Sequence, residues 1–300
     1  MALTHDIQPL GTHRCLLGES PLWHPDEAQL YCVDIPGRQV LRWRAGADAP
    51  DVFPQDAEPG CIAARVGGGL VVARRDGLWA LDTQTGATSP LAAPPYDPQR
   101  QRYNDGKPDA VGRFWVGTLS DAREPEASLY RIGSQGAEPQ IDGIVTANGL
   151  AWSPDGRVLY RSDTKAHTVW CHDFDVSTGR VGTGRVFAQF TPRAPEQPLS
   201  TYGGRPDGAA VDESGAYWVA MFEGARLLRY APSGELLEDI ALPVRCPTMP
   251  CFGGEDRRTL FITTARDKRP ADELAREPWA GAVLTLRVDV PGLPAARCAL

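Results

Sequence analysis

The chain is written in short apolar runs that alternate with polar residues and are interrupted by Asp/Gly turns. Successive side chains of a strand point to opposite faces, so a period of two predicts strands. Six segments repeat one grammar of a small or polar start, a turn and a strand bearing an aromatic residue. Readable strands fall at residues 20–23, 29–34 and 39–43, then at 61–64, 69–73 and 77–81. They recur at 109–113, 114–117 and 128–132, at 149–152, 158–161 and 168–171, at 209–211, 217–220 and 226–230, and at 249–254, 259–263 and 281–286. No amphipathic helical stretch of useful length separates them. Repeats of about 40–50 residues with three or four strands each predict an all-β fold, a six-bladed β-propeller with about four antiparallel strands per blade. With no linker or low-complexity stretch, residues 1–300 are expected to form one propeller domain.

Four oxygen-bearing side chains share one place in that repeat. Glu19 precedes Ser20-Pro21-Leu22-Trp23, Asn104 opens Asn-Asp-Gly-Lys-Pro, Asn148 opens Asn-Gly-Leu-Ala-Trp and Asp207 opens Asp-Gly-Ala-Ala-Val. In a radial fold, equivalent positions converge on the axis. Taken singly, Asn148-Gly149 or Asp207-Gly208 reads as an ordinary turn; the shared register across four repeats makes the set a candidate site. Two carboxylates and two amides without histidine or thiolate suit a hard or borderline divalent cation. Arg102, beside Asn104, can present several donors to a polyhydroxylated ligand. Asp105 and Lys107 read equally well as a turn closed by a salt bridge.

Composition narrows the classes. A formal net charge of −7 without a Lys/Arg-rich run argues against nucleic acid as a partner. No apolar stretch reaches bilayer-spanning length, so no membrane partner is expected. Met1-Ala2-Leu3-Thr4-His5-Asp6 lacks the pattern of a signal peptide, which points to the cytoplasm. Seven dispersed cysteines form no CxxC pair and are expected as small buried residues. The five histidines show no zinc-binding motif, and Ser20 has no nucleophile elbow around it. Tryptophans 43, 79, 115, 170 and 218 are expected in the blade cores.

Taken in order, several segments resemble the regucalcin, gluconolactonase and luciferin-regenerating enzyme family. They are Leu17-Gly18-Glu19-Ser20-Pro21, Arg102-Tyr103-Asn104-Asp105-Gly106, Asn148-Gly149-Leu150-Ala151-Trp152, Pro206-Asp207-Gly208 and Cys251-Phe252-Gly253-Gly254. The resemblance spans nearly the whole chain. It implies one divalent metal ion, calcium or zinc ahead of manganese, magnesium or ferrous iron, held by Glu19, Asn148 and Asp207. It also implies substrate contacts from Arg102 and Asn104, with Asp207 as a general base. The implied activity is that of a lactonase opening a gluconolactone-like aldonolactone to the free acid. Some members carry two acidic residues in a loop over the substrate, where this chain reads Asp121-Ala122-Arg123-Glu124. Tyr202 and Arg205, close before Asp207, could shape the pocket.

Two alternatives follow from the same features. One is a calcium-dependent aryl esterase or phosphotriesterase-like hydrolase; the other is a non-catalytic metal-binding regulatory protein. A closed propeller hides its own sheet edges, so a monomer or weak oligomer is expected.

Overall fold

The computed structural model describes residues 6–133 and 136–300; Met1–His5, read above for a leader, lie outside the described residues. After a short strand β1 (Gln8–Pro9), the first blade contains β2 (Gly18–Trp23), β3 (Leu30–Asp34), β4 (Gln39–Trp43) and β5 (Asp51–Pro54). The second contains β6 (Pro59–Ala64), β7 (Leu70–Arg74), β8 (Gly77–Leu81) and β9 (Thr88–Ala92). The third contains β10 (Gln101–Pro108), β11 (Phe114–Ser120), β12 (Ala127–Gly133) and β13 (Gly136–Ile144). The fourth contains β14 (Ala147–Trp152), β15 (Val158–Asp163), β16 (Thr168–Asp175) and β17 (Arg180–Gln189). The fifth contains β18 (Arg205–Val211), β19 (Tyr217–Phe222), β20 (Arg226–Tyr230) and β21 (Leu236–Ala241). The sixth contains β22 (Pro247–Gly253), β23 (Thr259–Thr264) and β24 (Leu284–Arg287) and takes β1 as its outer strand. All pairings within the blades are antiparallel, giving the expected six-bladed propeller.

Blades pack face to face, so their inner and middle strands lose water on both sides. That is why they read as nearly continuous apolar runs. Tyr31, Val33 and Val40 of blade 1 pack on Ile62, Leu70 and Val72 of blade 2. Trp218 and Leu227 of blade 5 pack on Leu260, Ile262 and Leu284 of blade 6. The ring is closed by pairing Gln8 with Thr285 and Pro9 with Leu284.

The outermost strands were hard to read because one side faces solvent. Thr88–Ala92 and Leu236–Ala241 are mostly exposed and show no apolar–polar alternation, so the pattern predicts no strand there. Residues 109–113, read as a strand, instead form the tight turn joining β10 to β11. There Asp109 accepts from the Arg113 amide and the Trp115 indole at 3.1 and 3.0 Å. Blade 5 repeats the device, with Asp212 accepting from the Trp218 indole at 2.9 Å. A six-residue helix, α1 (Ala271–Arg276), also escaped the strand-based reading. Trp43, Trp115 and Trp218 are core residues as expected, whereas Trp79 and Trp170 are only half-buried. Trp79 lies beneath the Arg74 guanidinium, 4.0 Å from its ring centroid. All seven cysteines are unpaired, and six are buried.

Candidate functional site

Each inner strand carries a break in its pairing with the second strand of its blade, and these breaks organise the site. The register shifts lie between Glu19 and Leu22, Tyr103 and Gly106, Asn148 and Ala151, and Pro206 and Ala209. An inserted residue bends the strand and re-aims its side chains. Glu19, Asn104, Asn148 and Asp207 all stand at or inside these breaks. In blade 1 the residue after Glu19, Ser20, has φ +47°; in blade 4 the residue after Asn148, Gly149, has φ +64°. Left-handed backbone directly after the site residue is thus shared by both blades. The corresponding breaks of blades 2 and 6 flank Gly60 and Thr248. Gly60 has no side chain, and the Thr248 hydroxyl is spent on Gly18 O and Thr263 Oγ1 at 2.6 and 2.8 Å. Four breaks of six therefore supply oxygen donors.

These residues form one hydrogen-bonded chain across three blades. Arg102 donates through one guanidinium nitrogen to Asn104 Oδ1 at 2.7 Å and to Tyr103 O at 2.9 Å. Asn104 Nδ2 donates to Asn148 Oδ1 and Ala147 O, both at 2.8 Å. Asn148 Nδ2 in turn donates to Asp207 Oδ1 at 2.6 Å and to Thr164 Oγ1 at 2.8 Å. Glu19 accepts from its neighbour Ser20 N at 3.2 Å. All five site residues are buried. Thr164 was missed in the sequence; its only signal is its place directly after β15, where the chain turns back over the same mouth.

Burial sets the electrostatics. It raises the Glu19 pKa well above the usual carboxylate range, and the nearby charges of Asp207 and Asp105 add to that. Burial likewise pushes Asp207 up to about 8, against the opposing pull of Arg205. Asp105 is also raised by burial, and Arg102 is lowered by it. Two carboxylates are thus held together where neither is easily ionised unless a cation shares the space.

The donor set fits such a cation. Glu19 and Asp207 have lone pairs to spare, and Asn148 Oδ1 receives one hydrogen bond although an amide oxygen can accept two. Among the described residues no three His, Cys, Asp or Glu side chains cluster as a metal site. Any ion here would be held by two carboxylates and neutral amide oxygen, a hard-cation arrangement.

Asp105 and Lys107 depart from the turn-and-salt-bridge reading. Both lie in β10, deeper in the channel. Asp105 Oδ2 accepts from Leu150 N at 2.8 Å, while its Oδ1 is buried without a hydrogen-bond partner. The Lys107 ammonium donates to Leu150 O at 2.9 Å and also to Ala209 O. They stitch blade 3 to blades 4 and 5. Beyond them, at the C-terminal ends of the inner strands, a mostly apolar cavity of about 580 Å³ lies under residues 293–297. Glu19, Asn104, Asn148 and Asp207 do not line it.

Arg205 stands two residues before Asp207, close enough for its charge to act there, and Tyr202 is buried just before β18. The Tyr202 hydroxyl meets His167 Nε2 at 2.7 Å, and Arg205 pairs with Glu223 at 3.0 Å while stacking on Phe222.

The chain is similar to known proteins over most of its length. The profile described as "SMP-30/Gluconolactonase/LRE-like region" matches residues 17–266. The chain is 40% identical to a 6-deoxy-6-sulfogluconolactonase of Pseudomonas putida, over 92% of this chain and 93% of the relative. It is 32% identical to the regucalcin of Gallus gallus, over 96% of both chains. Among solved structures, a calcium-binding regucalcin from Agrobacterium tumefaciens superposes with a TM-score of 0.90 at 25% identity, covering 99% of this chain and 98% of that one.

Proposed function

The chain belongs to the SMP-30/gluconolactonase/LRE-like family, and on that premise we propose that it is a lactonase that opens a sugar-acid lactone to the free acid with the help of one divalent metal ion. The observation that carries the reading is the chain of hydrogen bonds from Arg102 through Asn104 and Asn148 to Asp207. Structural turns satisfy their polar groups locally; this chain crosses three blades and ends on a buried carboxylate beside Glu19. Glu19, Asn148 and Asp207 would hold the ion. Oxygen-only ligation favours calcium, magnesium or manganese and admits zinc or ferrous iron. All 300 residues act as one propeller domain in this reading.

The ion, when bound, polarises the lactone carbonyl and lowers the pKa of water. This chain's own residues position and accept. Arg102 binds substrate hydroxyls with the donors not spent on Tyr103 and Asn104, and Asn104 fixes its guanidinium plane. Asn148 holds Asp207 in one rotamer by donating to Oδ1, leaving Oδ2 to receive a proton from the attacking water. A carboxylate shared with a cation is a weaker base than a free one, but burial strengthens this one by raising its proton affinity. Substrates to test are gluconolactone-like aldonolactones, including a 6-sulfonated one by likeness to the Pseudomonas relative.

The decisive experiment strips the protein of metal, restores single divalent ions and follows acid release from aldonolactones above the spontaneous rate. Hydrolysis that returns with metal and is absent in Asp207→Ala is expected. Tight metal binding without turnover of any lactone or ester would instead favour a calcium-binding role, by likeness to the calcium-binding regucalcin of Agrobacterium tumefaciens.

A further inference from the structure

Loops at the start of the inner strands surround the candidate site, and their charges are uneven around the ring. The turn after β11 carries Arg123, the turn after β15 carries Lys165, and β18 begins with Arg205. All three border blades 3 to 5, the sector spanned by Asn104, Asn148 and Asp207. Arg205 stands two residues before Asp207 as Arg102 stands two before Asn104, each on its own inner strand. Lys165 directly follows Thr164, whose hydroxyl touches Asn148.

The acids around this sector are largely committed elsewhere. Glu58 and Asp121 both bind Arg75, at 2.6 and 2.8 Å. Glu126 binds Arg100 at 2.6 Å, and Glu223 is shared between Arg205 and Arg269. Asp163 accepts from the backbone amides of Val145 and Thr146. Glu124, like Asp163, has no ion pair among the described residues. Arg123 and Lys165, by contrast, are exposed and make no salt bridge or side-chain hydrogen bond among the described residues. The end of β11, the end of β15 and the start of β18 lie on the same face of the ring, and the Lys165 pKa is lowered by partial desolvation and then by the charges of Arg205 and Arg123. Such a rim on a chain of net charge −7 focuses a local positive potential over the mouth.

We propose that Lys165 and Arg123, with Arg205 behind them, form an anion subsite, and that the preferred substrate is a lactone carrying a fixed sulfonate, phosphate or carboxylate on the carbon farthest from the ring carbonyl. The inference rests on the lactonase reading for its substrate scaffold. The ring would sit on Arg102 and the metal position, and its charged tail would extend toward blades 4 and 5.

The test compares gluconolactone with its 6-sulfo, 6-phospho and 6-carboxy counterparts on metal-loaded wild type, Lys165→Ala, Arg123→Ala and the control Lys268→Ala, an exposed lysine outside the sector. Wild type should prefer an anionic lactone in kcat/KM by tenfold or more, an advantage that shrinks as salt rises. Lys165→Ala and Arg123→Ala should each cut that ratio several-fold through KM, and Lys268→Ala should not. The anion that shows the largest ratio identifies its chemistry. The same comparison is run by calorimetry with the open-chain acids gluconate, 6-sulfogluconate and 6-phosphogluconate. If no lactone is hydrolysed, the lactonase reading fails, and calorimetry still decides the subsite. Equal preference for neutral and anionic ligands, or a ratio untouched by both substitutions, overturns the subsite.

Discussion

Asn148 donates its side-chain amide to Asp207 Oδ1 at 2.6 Å, across the boundary between blades 4 and 5. Two residues 59 positions apart in sequence are thereby locked into one unit. Both of its amide hydrogens are used, and its carbonyl oxygen accepts only from Asn104 Nδ2, leaving one lone pair free. Replacing Asn148 with Ala should lower divalent-metal affinity tenfold or more while leaving the β-sheet circular dichroism unchanged. Titration of the chelator-treated protein with manganese, followed by paramagnetic resonance, reads this directly; unchanged affinity would remove Asn148 from the proposed ligand set.

Removing metal should make stability depend on pH. Burial raises Asp207 to about 8 and raises Glu19, whereas unfolded carboxylates titrate near 4. The folded, metal-free chain therefore holds protons that the unfolded chain has lost. The Asp207 contribution to stability should be lost as pH rises from about 4 to about 8, and the raised Glu19 pulls stability down in the same direction. Bound metal compensates the ionised pair and should flatten the profile. Melting temperatures at pH 5, 6.5 and 8, with chelator and with manganese, test this; parallel curves would mean that the pair does not bind metal.

The blade count was legible because inner and middle strands lose water on both faces and show it as apolar runs bounded by Asp/Gly turns. Outer strands such as Thr88–Ala92 pair through backbone alone and leave little trace in side-chain pattern. The shared position of Glu19, Asn104, Asn148 and Asp207 was visible as repeat register. The left-handed break behind Glu19 was not, because its φ is carried by Ser20, a residue without that preference. Thr164 and Lys165 were invisible for another reason: their roles come from a turn that folds back over the mouth, a tertiary relationship that no local pattern encodes. The place of Asp105 and Lys107 is not legible in the sequence, because a buried strand segment and a turn can carry the same Asn-Asp-Gly-Lys residues.

Arg102 separates two kinds of hydrolase. Its guanidinium is held by Tyr103 O and Asn104 Oδ1, so the remaining donors are preoriented. Losing charge-assisted hydrogen bonds of about 1.5–3 kcal/mol should raise KM for an aldonolactone roughly 10- to 150-fold in Arg102→Ala. An apolar aryl ester makes no such bonds and should change little. Steady-state kinetics on both substrates give the answer, and an aldonolactone KM that hardly changes in Arg102→Ala would favour the aryl-esterase alternative.

Gly149 should be among the least replaceable residues of the site. Its φ of +64° is costly for an L-residue, and an added Cβ would meet Tyr217 Oη at 2.5 Å and Ser162 Oγ at 2.7 Å. Both partners are tethered, Tyr217 Oη to Gly149 O and Ser162 Oγ to Asp207 O. The substitution therefore disturbs the backbone on each side of the Asn148–Asp207 contact. Gly149→Ala should cost the left-handed strain of about 1–2 kcal/mol plus a steric cost, and should weaken metal binding with it. Gly67→Ala is the matched control: φ is +90°, but nothing lies within 4 Å of an added Cβ. Urea unfolding of the two variants should show the larger loss at Gly149, with metal affinity reduced only there. A Gly149→Ala protein that binds metal normally would show that the left-handed break does not set the ligand geometry.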